Sequence, residues 1–319
     1  MSSPWSGIER PVAEFNVRLA TEHHPLRLYW GVDSRGRYLF VIDVSKAAIP
    51  AKGTICDLEG IQIGMAVQHG RGRIVLLLNE TANWELFKTL CDDLVRASGV
   101  VPEEITAVAV ALRRLQRWQD FLRKARSLVL SLEEIKGLVG ELLFLNATVV
   151  ERFGWDAAVE FWKGPEGAPQ DFAIHQIAVE VKCQSGASKP SVRITSVEEL
   201  NPQLPTGYLV VQTLATAEDN APGSFTLNSL IARIRGELAR ASHATRERFD
   251  GLLFSAGYIH HEFYDSLVFQ QIATSSYLLC EGFPRLRLDR IPSGIQKITY
   301  QLELEACAPF TATIDFTKS

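Results

Sequence analysis

The stretch from Gln170 to Gln184, QDFAIHQIAVEVKCQ, gathers the side chains best suited to chemistry. Ile177, Val179, Val181 and Cys183 alternate there with Ala178, Glu180, Lys182 and Gln184. Side chains of an extended strand alternate between its faces. Glu180, Lys182 and Gln184 therefore share one face and four apolar side chains share the other. Asp171 lies one strand earlier across a tight turn, and hairpin pairing brings it opposite Glu180. Two carboxylates and an ammonium then meet at one end of a sheet. Carboxylates are hard oxygen ligands for Mg2+, which keeps several waters and is held by one or two carboxylates plus substrate phosphate. Such a metal polarises a phosphoryl oxygen and acidifies a bound water. A neighbouring lysine orients that water or neutralises charge in the transition state. The chemistry that suits this set is phosphodiester hydrolysis. An isolated E-x-K on a strand is more often a solvated face carrying a weak ion pair. The upstream Asp171 in an apolar strand, the following Gln184 and the preceding helix set this one apart.

The flanking elements must hold these residues in place. Ser131 and Glu134 fit a capping box that opens a helix. Its apolar positions run through Ile135, Leu138, Val139, Leu142, Leu143, Leu145 and Val149 to about Arg152, and Phe153-Gly154 ends it. Gly137 and Gly140 each cost about 1 kcal/mol relative to alanine in a helix, which suggests close approach of another backbone. Glu141 projects from the same side as Leu138 and Leu145, so it needs a partner, a metal or a basic group. Ala157 to Trp162 reads as a short strand leading through Gly164-Pro165 into the hairpin. Beyond it lies the loop Ser185 to Pro190, where Lys189 and, further on, Arg193 are candidate phosphate contacts against the plainer reading of a solvated loop. Ser196 to Leu200 looks helical, Tyr208 to Leu214 has the continuous apolar character of a buried central strand, and Leu227 to Arg240 reads as a helix.

An acid followed by acid-x-Lys across a hairpin resembles the PD-(D/E)XK nuclease superfamily. Pro169 and Asp171 stand for its "PD" and Glu180-Val181-Lys182 for its "EXK", with Gln170 interrupting the strict dipeptide. The string GLVGELLFL in the preceding helix resembles the bacterial PD-(D/E)XK motif proteins. The resemblance covers about Ser131 to Ser242 and implies an α/β, restriction-endonuclease-like core of order αβββαβα. It implies that Asp171 and Glu180 hold Mg2+, with Mn2+ as a substitute, and that a helix glutamate, here Glu141, completes the metal site. Lys182 then positions or activates water, and Gln184 orients the water or the lysine. The implied substrate is DNA, the implied setting is bacterial restriction or phage defence with other defence proteins as partners, and a homodimer stays open.

The chain has 319 residues, 46% hydrophobic and 22% charged, as expected of a globular protein of one or two domains. The expected division is an α+β, β-rich accessory region over 1–100 and a nuclease-like domain over 101–319 with a β-rich C-terminal extension. Four strands, 26–31, 38–44, 60–68 and 73–78, and a helix over 83–97 are expected in the first part. A second helix from Pro102 to about Arg126 carries Arg113, Arg114, Arg117, Arg123, Lys124 and Arg126, either a solvated face or a phosphate-contacting ridge. A net charge of −4 gives no global signature of nucleic-acid binding, though a local basic groove is compatible with it. The five cysteines, without C-x-x-C, argue against a disulfide framework or zinc site and suit a reducing cytosol. No apolar run reaches membrane-spanning length, so a cytoplasmic protein with no membrane association is expected. A phosphate-binding glycine loop, a nucleophile elbow and a dinucleotide fingerprint are missing. Two other classes stay open: a DNA-binding or scaffolding subunit with the nuclease fold but little activity alone, and a protein-interaction domain with no nucleic-acid role.

Overall fold

The computed structural model describes residues 3–50, 57–58, 60–68, 70–124, 129–186, 189–218, 221–295 and 297–318. The chain divides into two compact units, Met1–Leu128 and Val129–Ser319.

The first unit holds an antiparallel five-stranded sheet built from β1 (Phe15–Leu19), β2 (Arg27–Asp33), β3 (Tyr38–Ser45), β4 (Ile61–Gln68) and β5 (Arg71–Leu78), in the order β1-β2-β3-β5-β4. Gly36, at φ +82°, closes the β2–β3 turn. β1 was not among the expected strands; it is an exposed edge whose FNVRL alternation is legible only in hindsight. Two helices follow, α1 (Trp84–Ser98) and α2 (Glu104–Lys124). Arg114 on α2 grips Asp93 on α1 with two hydrogen bonds, Nε to Oδ2 at 2.5 Å and Nη2 to Oδ1 at 2.8 Å. α1 and α2 both belong to the first compact unit, which runs to Leu128. The grip corrects the basic ridge: Arg114 is buried and committed to Asp93. Arg126 and the side chains of Arg123 and Lys124 lie outside the described residues. His24 faces the Val95 carbonyl and the Ser98 hydroxyl near the end of α1.

In the second unit, α3 (Leu132–Phe144) begins with the expected capping box, Ser131 and Glu134 satisfying each other's backbone N–H. A π-helical turn over 145–150 leads into α4 (Glu151–Phe161). The strand expected at 157–162 is therefore helical as far as Phe161, and only Trp162 is extended, bridging antiparallel to Phe172. Gly154 takes φ +76° and interrupts the helix for one residue only, and Ala158, Val159 and Trp162 are buried. The strands β6 (Phe172–Ile174), β7 (Ile177–Ser185), β8 (Ser191–Ile194), β9 (Thr206–Thr216), β10 (Ser224–Phe225), β11 (Phe269–Leu278) and β12 (Tyr300–Glu303) complete the unit with α5 (Leu227–Glu237) and α6 (His243–Ser255). The main sheet has the order β10-β11-β9-β7-β6, and β8 pairs with β12 in a second, two-stranded sheet. β7 and β9 run parallel, Val181 beside Val210 and Cys183 beside Gln212. The helix, three-strand, single-turn, strand, helix order is kept, but the third strand is β8 rather than the segment before the hairpin. This is a mixed α/β fold of the PD-(D/E)XK kind.

Both faces of β9 are covered, which explains its unbroken apolar run. Tyr208, Val210 and Leu214 join the helix-side core with Leu138, Leu142, Val179, Val181, Leu230 and Phe249. Leu209 and Val211 join a second core with Val192, Ile194, Leu200, Tyr277 and Leu302. Gly140 explains how closely α3 lies on β7, since a Cβ there would sit 2.5 Å from Cys183 Sγ. Gly137 faces open space and has no such role. β11 is one strand with a register shift between Gln271 and Ala273. α6 had no counterpart among the expected elements.

Candidate active site

β6 pairs with β7 from Ile174↔Ile177 to Phe172↔Val179 and then ends, while β7 continues. The next inward N–H of β7, that of Val181, would be unpaired on the sheet edge. The Asp171 carboxylate takes it, Oδ2 accepting at 2.8 Å. The Asp171 carbonyl is held as well, accepting from the N–H groups of Lys163 at 2.7 Å and Gly164 at 2.9 Å. Asp171 is thus fixed through backbone and side chain at the point where the hairpin opens.

Glu141 reaches the same place from α3. Its Oε2 accepts from the indole N–H of Trp162 at 2.7 Å, so the partner required by its inward direction is a neutral donor. Gly164 lies between the two acids. A Cβ on it would stand 2.7 Å from Asp171 Oδ1 and 2.9 Å from Glu141 Oε2, so only glycine leaves the space between those oxygens open.

Glu180 and Lys182 follow the strand alternation. Ile177, Val179 and Val181 face the helix-side core and Cys183 packs against it. Glu180 is 3% exposed, and its Oε1 accepts from Lys182 Nζ at 2.7 Å. The Lys182 ammonium also binds Glu199 Oε2 at 2.7 Å. Glu199 went unnoticed in the sequence. It sits in the single 3-10 turn Glu198–Leu200, and only a three-dimensional contact singles it out. Gln184 shares the strand face, but its Nε2 donates to Thr213 Oγ1 at 2.9 Å and its carbonyl oxygen is buried without a partner. No hydrogen bond joins it to the carboxylates or to Lys182 among the described residues. Lys189 and Arg193 are tied to Glu303 and Glu133 on the surface.

Four carboxylates therefore surround one ammonium, and the proton affinities follow. Burial lifts the Asp171 carboxyl to about 6, against the pull of the Val181 N–H and Lys182. Burial, then the Asp171 charge, push Glu141 well above the usual carboxylate range, with Trp162 and Lys182 opposing. Glu180 is raised for the same two reasons despite its contact with Lys182. Burial disfavours charge on Lys182, yet Glu180 and Glu199 outweigh it and raise its pKa, so the ammonium keeps its proton.

The donor set fits a hard divalent cation. Two carboxylate oxygens stand beside Gly164, and the carboxyl groups outnumber the ammonium at this place among the described residues. A cation such as Mg2+ takes one or two carboxylates and fills its shell with water and phosphate. Glu141 and Asp171 would hold it. Glu180, the third expected ligand, is engaged with Lys182, and no three His, Cys, Asp or Glu side chains converge in ligand geometry among the described residues.

This hairpin site on an αβββα frame defines the PD-(D/E)XK class. The family model described as "Putative PD-(D/E)XK family member, (DUF4420)" matches residues 1–305, and the chain belongs to that family. No curated protein and no solved structure matches the chain. No helix among the described residues is long and apolar enough to cross a membrane.

Proposed function

We propose that the chain is a divalent-metal-dependent nuclease that hydrolyses phosphodiester bonds of DNA. The observation that carries this reading is the meeting of Asp171, Glu141, Glu180 and Lys182 where β6 stops and β7 runs on, with carboxylates in excess over the ammonium. A bound Mg2+ would supply Lewis-acid polarisation of the phosphoryl oxygen and an acidified water. Asp171, clamped by the Val181 N–H, and Glu141, clamped by Trp162, would present fixed oxygens to it. Lys182 as an ammonium would donate to the scissile phosphate and offset the charge that develops on its oxygens as the phosphorus becomes five-coordinate. The setting in bacterial restriction or phage defence rests on the family resemblance.

A nuclease-fold DNA-binding or scaffolding subunit is the second reading. It is favoured by the net charge of −4 and by the engagement of Glu180 with Lys182. Cleavage of supercoiled and linear DNA in Mg2+, Mn2+ and EDTA, with Lys182→Ala and Asp171→Ala beside wild type, tests the first reading. Metal-dependent cutting lost in both variants supports it. An inert wild type that takes up no divalent ion in calorimetric titration favours the second.

A further inference from the structure

We propose that Glu199 is the positioning residue for Lys182, and that Gln170 fixes the turn from which Glu199 reaches in. The proposal rests on the nuclease reading of the site and adds a residue that no motif names. The Lys182 ammonium has two anchors, Glu180 Oε1 and Glu199 Oε2, each at 2.7 Å. The two are not equivalent. Glu180 stands beside Asp171, whose charge opposes its own, and Lys182 is the donor that holds it. Glu199 is held by a residue just before its own turn: its Oε1 accepts from the Thr195 hydroxyl and, at 3.2 Å, from the Thr195 N–H, which also reaches Oε2 at 3.3 Å, the oxygen that meets Lys182. Its hold on the ammonium is therefore braced from the side away from Glu141 and Asp171.

The turn bearing Glu199 is pinned from two sides. Gln170 Nε2 donates to the Glu198 carbonyl at 2.6 Å and more weakly to that of Glu199 at 3.4 Å. Asn201 Nδ2 donates to the carbonyls of Val197 and Leu286, each at 2.7 Å, and Arg285 donates to the Leu200 carbonyl. The residue that interrupts the "PD" dipeptide thus links the first acid of the motif to the anchor of its lysine. A flexible lysine stem has many rotamers, and a buried carboxylate fixed by its own donors selects one of them.

The test is amine labelling of wild type and Glu199→Gln in EDTA and in Mg2+, with the extent at Lys182, Lys163 and Lys189 read by mass spectrometry. The expected result is a rise of about tenfold at Lys182 in the variant, in EDTA and in Mg2+ alike, with Lys163 and Lys189 unchanged; tenfold is the scale of one lost charge-assisted hydrogen bond. On DNA, Glu199→Gln lowers kcat by about tenfold with KM nearly constant, and Glu199→Asp restores part of it. Labelling of Lys182 at the wild-type rate, or full kcat in Glu199→Gln, overturns the proposal. Should Glu199→Gln fail to fold, Thr195→Val loosens Glu199 without removing it, and an unchanged Lys182 label there is equally fatal. Labelling needs no cleavage, so a wild type inert on every DNA substrate sinks the nuclease reading and leaves the Glu199–Lys182 contact to be judged separately.

Discussion

Each unit of the chain buries a cluster of charges, and the two clusters are built oppositely. In the first, Asp93 meets the planar fork of Arg114 and the indole N–H of Trp118, the latter at 2.9 Å. One anion faces one cation, and burial, which by itself would raise the Asp93 pKa, is outweighed by Arg114 and Trp118, so its carboxyl lies below the usual range. In the second, four carboxylates lie near one ammonium, two of them in contact with it, and burial raises the proton affinity of Glu141, Asp171 and Glu180. A balanced, fully hydrogen-bonded pair is a fastener between helices. An unbalanced cluster is stable only with retained protons or an added cation, which is the condition expected of a site rather than a strut.

The largest expected effect separates the two directly. Asp171→Ala or Lys182→Ala lowers DNA cleavage by about 10³-fold while the chain stays folded, on the scale of removed transition-state stabilisation. Asp93→Ala does the reverse: it strands a buried guanidinium and costs about 3–5 kcal/mol in denaturant unfolding. If Asp171→Ala destabilised the chain as much as Asp93→Ala, the distinction would collapse. Next, Mg2+ raises the melting temperature of wild type by the equivalent of about 2.7 kcal/mol at a hundredfold excess over its Kd, and leaves Asp171→Asn unmoved. Differential scanning fluorimetry with and without EDTA reads this. The smallest effect is in pH. Asp93 has a depressed pKa, so its contribution is complete above the unfolded value of 3.8 and is lost as pH falls below it. Asp171 has the opposite sign. With its carboxyl raised to about 6, its contribution is complete below 3.8 and is lost as pH climbs from there through about 6. In EDTA, wild type should therefore lose stability relative to Asp171→Asn across that window, and a flat difference would remove the crowded carboxylate from the explanation.

The parts of this arrangement that were legible in the sequence are those governed by short periods. The alternation along Ile177 to Gln184, the capping box of Ser131 and Glu134, and the continuous strand at Tyr208 each express a local rule, and the structure follows them. What was hidden depends on partners distant in sequence. Glu199 lies in one turn of 3-10 helix without periodicity, and its meaning comes from Lys182. The residues before Trp162 were read into a strand because Gly154 looked like a stop; a glycine at positive φ let the helix resume to Phe161, and the Trp162 indole then met Glu141. Arg114 looked like one of several surface arginines until Asp93, on the neighbouring helix, claimed it.

The hydrogen bond from the Val181 N–H to Asp171 has a spectroscopic consequence. The amides of β7 that pair with β6 or β9 report on the integrity of the sheet. This one answers to a carboxylate, so its chemical shift and its exchange with solvent deuterium track the charge on Asp171 and whatever ion that charge attracts. A single crosspeak in a nitrogen–proton spectrum becomes a gauge of the site's occupancy, readable on the intact protein without substrate or turnover.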